Sequence, residues 1–237
     1  MKLKIITTVS DLENPGLHKL EASLRSNSLD YKIIHSSDVN WGWGGWDTVM
    51  WWLGTKEAEG YTHFIYTDGF DTLALTGQEE IEKALETLLR PNPDAFIYSV
   101  EKHWFPCEDG WEKEIAEFNN KLRLPDEYRW RYVNGGQWAG SVEAIKKWYI
   151  NAPKTRNNQA WGNAYFAKQP SNDLILDFKC LLFQTLSHSG ANHGSPDEFT
   201  VENKRLTNNL TGTKPCFVHN NGIKNPHEQK FMYDIIL

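Results

Sequence analysis

A single α/β domain with a mostly parallel mixed sheet is the fold class this chain predicts, and two observations carry that reading. Apolar runs of strand length alternate with amphipathic stretches of helical period through the first half of the sequence, a pattern that sets covering helices over a parallel sheet. The third apolar run, Phe64-Ile65-Tyr66-Thr67, then ends in Asp68-Gly69-Phe70-Asp71. That order puts two carboxylates just beyond the carboxyl end of a central strand, where open α/β sheets hold their ligands.

The elements follow in sequence. Leu3 to Val9 is a first strand, and Asp11 or Asn14 caps a helix running to about Arg25. Tyr31 to Ile34 is a second strand, and a Trp/Gly loop leads into a helix from Thr48 to about Ala58. His63 to Thr67 is the third strand, Glu79 to Leu89 an amphipathic helix, and Ala95 to Val100 the fourth strand. Beyond it the pattern is less regular: a strand at Trp130 to Asn134, helices near Val142 to Tyr149 and Gln159 to Ala167, and short strands at Leu174 to Leu176 and Cys216 to His219. No repeat, low-complexity tract or linker divides the 237 residues. One domain is expected, with a nucleotide-binding half over residues 1–100 and an acceptor and metal half over 101–237.

Composition narrows the function classes. A net charge of −6 gives no global basic field for nucleic acid. No apolar run reaches the roughly 20 residues that span a bilayer, and the start at Met1-Lys2-Leu3-Lys4 turns polar too quickly for a secretory signal. Three widely spaced cysteines, Cys107, Cys180 and Cys216, build neither a disulfide framework nor a zinc site. A cytoplasmic protein with reduced thiols is expected. The 11 tryptophans are unusual. Part of that excess is core, while Trp41, Trp43 and Trp46, spaced by glycines, read equally as core or as a lid.

Asp68 and Asp71 are hard oxygen ligands, suited to a divalent cation that keeps part of its shell for phosphate oxygens. Taken alone the pair has a plainer reading, with Asp68 capping a turn and Asp71 a helix. Its company favours the metal. In order along the chain come Thr7-Thr8-Val9, the Asp pair, Ser99-Val100-Glu101 with Trp104 and Pro106, Asn134-Gly135-Gly136-Gln137-Trp138, Asn157-Asn158-Gln159, and His219-Asn220-Asn221-Gly222-Ile223-Lys224.

In this order and at these intervals the chain resembles the glycosyltransferase domain of the procollagen lysyl hydroxylases, a GT-A sugar-nucleotide transferase with a Rossmann-like sheet. The resemblance runs from Leu3 to about Lys224. It implies that Asp68, Asp71 and His219 ligate Mn²⁺ or Mg²⁺, and that Lys224 and Gly222 meet the diphosphate of a UDP-sugar. It implies uridine contacts from Thr8 and Val9 and from Trp52. Asn134, Gly135 and Gly136 are expected to approach the donor sugar. Glu101 and Trp104 are expected on the acceptor side, with Trp104 closing over acceptor or sugar; Asp177 and Gln184 match a family segment whose role is partly structural.

The chain departs from the family at Asn157-Asn158, where two aspartates are expected. Asn hydrogen-bonds sugar hydroxyls but is neither nucleophile nor base at neutral pH, so front-face transfer with retention becomes the expected mechanism. The acceptor hydroxyl is left open among protein, glycan and hydroxymethylated DNA base. For DNA, Arg129, Arg131, Lys146, Lys147, Lys154 and Arg156 would have to gather on one face. A non-catalytic carbohydrate-binding module with a tryptophan platform, and a nucleotidyltransferase or phosphohydrolase using the same Asp pair, are the rivals.

Overall fold

A computed structural model describes residues 1–37, 43–107, 110–122, 128–168, 172–186, 198–221 and 232. Its main sheet joins β1 (Leu3–Val9), β2 (Tyr31–His35), β3 (His63–Thr67), β5 (Phe96–Glu101), β6 (Tyr132–Ser141) and β7 (Leu174–Leu176) in the order β2-β1-β3-β6-β5-β7. Strand β1 pairs in parallel with β2 and β3, and β5 with β7; only β6 runs against its neighbours. The sheet is therefore mixed and mostly parallel. A smaller sheet, ordered β4-β11-β8, joins β4 (Thr72–Ala74), β8 (Phe183–Thr185) and β11 (Phe217–His219), and β9 (Phe199–Glu202) forms a hairpin with β10 (Arg205–Asn208).

Every residue of β1 is buried, as expected for a strand with helices on both faces. Alternation along the strands divides the core in two. Ile6, Phe64, Tyr66, Phe96, Tyr98 and Trp138 belong to an aromatic cluster. Ile5, Ile65, Ile97 and Ala139 meet leucines of α1 (Pro15–Ser26) and α3 (Gln78–Leu89) in an aliphatic one. Asn14, not Asp11, caps α1. Its side chain accepts from Gly16 N–H at 2.9 Å, with Pro15 at the first helical position.

Several elements depart from expectation. Helix α2 (Gly44–Leu53) starts earlier and ends earlier than the span from Thr48 to Ala58, because Trp46 is a core anchor stacked 4.3 Å from Trp138, and Gly54 and a separate turn at Lys56–Ala58 follow. Strand β6 runs past Asn134, the expected end, through Gly135-Gly136 to Ser141. Helix α4 (Trp111–Lys121), β4, β8 and the β9–β10 hairpin were not marked by period or punctuation. Helices α5 (Val142–Asn151) and α6 (Asn158–Lys168) match their expected spans closely. Among the described residues no helix is long and apolar enough to cross a membrane.

Candidate active site

The site lies where β3 ends. Asp68 N–H donates to Gly136 O at 2.8 Å, fastening the turn to β6, and β4 begins directly after Asp71. Asp71 therefore joins two strands and caps no helix; α3 has Gly77 at its cap. Antiparallel pairing of β4 with β11 sets His219 opposite Thr72, and Asn220 N–H donates to Asp71 O at 2.8 Å. Residues about 150 positions apart in sequence thus converge. One ligand atom from each of Asp68, Asp71 and His219 lies within 4.8 Å of the others. His219 Nε2 is 3.6 Å from Asp68 Oδ2 and 3.3 Å from Asp71 Oδ1.

The electrostatics suit a cation. Burial drives the Asp68 carboxyl upward, His219 opposes it, and the neighbouring Asp71 adds to it. Burial works against a charged His219, yet Asp71 and then Asp68 raise it overall. Two carboxylates that crowd one another beside a buried imidazole form a set that a positive ion relieves. The side chains of Asp68 and Asp71 keep 44% and 18% of their surface open, while that of His219 keeps 3%.

Strand β6 supplies the floor. Tyr98 pairs with Trp138 but Ser99 pairs with Asn134, so residues 135–137 bulge away from β5 while β3 still holds Gln137. The bulge brings Gly136 against Asp68 and His219. A Cβ on Gly136 would stand 2.4 Å from both Asp68 Oδ2 and His219 Cε1, so no larger residue fits. A Cβ on Gly135 would meet Asn158 Oδ1 at 3.0 Å.

Behind the floor is a set of amides around one buried acid. Glu101 Oε1 accepts from Gln159 Nε2, and Oε2 accepts from Asn221 Nδ2 and from Asn134 Nδ2 at 3.4 Å. Burial pushes this carboxyl up to about 8, against those donors and His219. Gln159 also accepts from Gly135 N–H at 2.8 Å and donates to Phe105 O at 2.8 Å, so it ties floor to wall.

The other expected site residues fall as follows. Thr8 is buried with its hydroxyl 2.9 Å from that of Tyr66, which donates to Asp68 Oδ1 at 3.4 Å; Val9 is fully buried. Thr8 is thus linked to Asp68 through the Tyr66 hydroxyl. Trp52 is 2% exposed, edge-on to Phe64, with its indole N–H on Glu57. It is a residue of α2 packed in the core. Trp104 is buried as well, packed edge-on against Phe118 and Tyr132. Its neighbour Phe105 is 44% exposed.

Asn157 Oδ1 accepts from Gln159 N–H at 2.9 Å and so caps α6, leaving Asn158, beside Gly135, as the member of the pair at the floor. Trp46 is core, Trp43 is partly buried against it, and Trp41, Gly222 and Lys224 lie outside the described residues. The part-structural expectation for Asp177 and Gln184 fits their contacts. Asp177 accepts from the N–H groups of Leu181, Leu182 and Phe183, and Gln184 accepts from Asn208.

Residues 1–231 match the sequence model of the PLOD GT domain. An uncharacterized protein of Acanthamoeba polyphaga mimivirus is 25% identical over 223 residues, covering 90% of this chain but 45% of that protein, so the chain spans about half the length of the curated relative it matches. Among solved structures, a glycosyltransferase involved in glycosylation of the major capsid of PBCV-1 is similar with a TM-score of 0.56 and 11% identity, over 98% of both chains. That likeness concerns the fold, which is of the GT-A type.

Proposed function

The chain belongs to the PLOD GT domain family of glycosyltransferases, and from that premise we propose that it moves a hexose such as glucose from a UDP-sugar to an acceptor hydroxyl, with a divalent cation, Mn²⁺ or Mg²⁺, at Asp68, Asp71 and His219. The observation that carries the metal reading is their convergence over a floor that only glycine fits. Two carboxylates and an imidazole are a donor set suited to Mn²⁺ or Mg²⁺ that leaves positions free for diphosphate oxygens. When bound there, a divalent cation neutralises charge developing on the leaving UDP.

The chain's own residues do the positioning. Gly135 and Gly136 let the donor sugar lie close to the backbone, and Asn158 offers an amide beside it. Glu101, the buried acid behind the floor, has both oxygens occupied by amide donors. It is a poor nucleophile in that setting, and Asn157 is spent on a helix cap. These features favour front-face transfer with retention, in which the leaving phosphate takes the acceptor proton. Phe105 stands at the rim as a stacking surface for the acceptor side.

The basic residues that a DNA acceptor would need are engaged elsewhere. Arg129 pairs with Glu198, Arg156 with Glu114, Lys147 with Asp173 and Lys146 with Glu143, while Lys154 covers Trp43 and Tyr149. A protein or glycan hydroxyl is therefore favoured. With Trp46 in the core, the tryptophan platform of a binding module lacks support too. The test is donor hydrolysis across UDP-sugars with Mn²⁺ or with EDTA. Release of intact UDP only with metal is expected; release of UMP and sugar phosphate would assign a phosphohydrolase instead.

A further inference from the structure

The family reading expects Asn134 at the donor sugar, but its side chain is already engaged. Asn134 Oδ1 lies 3.1 Å from Gly136 N and 3.1 Å from His219 Nδ1, and Ser99 Oγ approaches it at 3.3 Å. The amide nitrogen, Nδ2, faces Glu101 Oε2 at 3.4 Å.

Which amide atom faces which neighbour follows from chemistry alone. A backbone N–H donates and never accepts, so the atom that meets Gly136 N–H is the oxygen. A carboxylate accepts, so the atom that meets Glu101 is the nitrogen. Turning the amide over would press two N–H donors together at Gly136 and two acceptors together at Glu101. The oxygen fixed in this way is the atom beside His219 Nδ1, so in the neutral ring Nδ1 carries the hydrogen. Nε2 then holds the lone pair, and Nε2 is the atom facing Asp68 and Asp71.

We infer that Asn134 is a positioning residue that holds His219 with its proton on Nδ1 and its Nε2 lone pair turned toward the two aspartates, ready for a divalent cation. The inference rests on the metal reading above for its purpose, while the Asn134 acceptor beside Nδ1 is present without the metal. Partners that fix the ring of a ligating histidine commonly contribute about 10–100-fold in metal affinity. An amide suits this place better than the carboxylate often found behind a metal-bound histidine, because Glu101 is adjacent and a second buried carboxylate would repel it.

The test uses the full chain. Nitrogen-15 correlation spectra of the metal-free protein, at a pH above the titration of His219, are expected to show protonated Nδ1; protonated Nε2 overturns the inference even if every variant fails to fold. Calorimetry with Mn²⁺ alone then compares Asn134→Leu, which removes the acceptor, with Asn134→Asp, which keeps one toward both donors. The Leu variant is expected to lose about 10–100-fold in affinity and its single tautomer, whereas the Asp variant keeps the Nδ1–H signal. Wild-type affinity in the Leu variant, or a lost signal in the Asp variant, contradicts the inference. A wild-type protein that shows Nδ1–H but binds no Mn²⁺ refutes the proposed function and leaves the tautomer standing.

Discussion

The two sides of the site handle charge in opposite ways. On one side Asp68 and Asp71 stand on a turn, partly open to solvent, with no Lys or Arg paired to them among the described residues. On the other, the single acid Glu101 is 7% exposed and wrapped by the amides of Asn134, Gln159 and Asn221. Uncompensated carboxylates are placed where an ion can reach them. Where an acid must be buried, neutral donors satisfy it and no counter-charge is introduced, which fits the high price of burying an unpaired charge. The carboxylate side is thus open to a ligand, and the amide side is closed by its own donors.

The sharpest way to break this contrast is Asp71→Asn. If the carboxylates serve an ion, transfer falls by about 10²-fold or more, as loss of several kcal/mol of charge stabilisation implies, while thermal unfolding hardly changes. Near wild-type turnover would make the pair structural.

Gly136→Ala comes next. Its methyl group would overlap Asp68 and His219; an overpacking penalty of about 1–3 kcal/mol is expected in denaturant unfolding, together with weakened Mn²⁺ binding. Unchanged metal affinity would show that the floor can yield.

On the amide side, Glu101→Gln replaces the acid by a neutral amide of the same shape that cannot ionise. The same variant tests a pH effect. Because the folded Glu101 is pushed up to about 8, above its unfolded range, its contribution to stability is fully present at acidic pH and is lost as pH rises through about 8. Wild-type stability should therefore fall over that window, and the Gln variant should lack that component. Parallel pH profiles would mean that Glu101 does not titrate there.

The smallest effect is expected from replacing Asn157 and Asn158 by Asp. Asp caps a helix as well as Asn does, so stability should shift by less than about 0.5 kcal/mol, and turnover should not rise. A large gain would instead show that a carboxylate is what the site lacks.

What was legible in the sequence divides along the same line. The metal side announces itself locally, since an apolar strand ending in Asp-x-x-Asp places its own carboxylates and the neighbours of His219 mark it out. The central alternation of strands and helices was equally readable, because each strand is a buried apolar run. The amide side depends on partners far apart in sequence, such as Glu101 with Gln159 and Asn221, and no local pattern encodes those contacts. The expected strand ends at Asn134 because a pair of glycines that follows a strand marks a bulge as readily as an end. Trp104 and Phe105 follow a strand end, where alternation no longer says which of two adjacent aromatics points inward.

The most direct test of the central claim is thermal unfolding with UDP, in Mn²⁺ and in EDTA. If Asp68, Asp71 and His219 hold the diphosphate through a cation, UDP at about 100 times its dissociation constant adds roughly 2.7 kcal/mol of stability with Mn²⁺ and next to none in EDTA. An equal shift in both conditions would contradict a metal-bridged donor site.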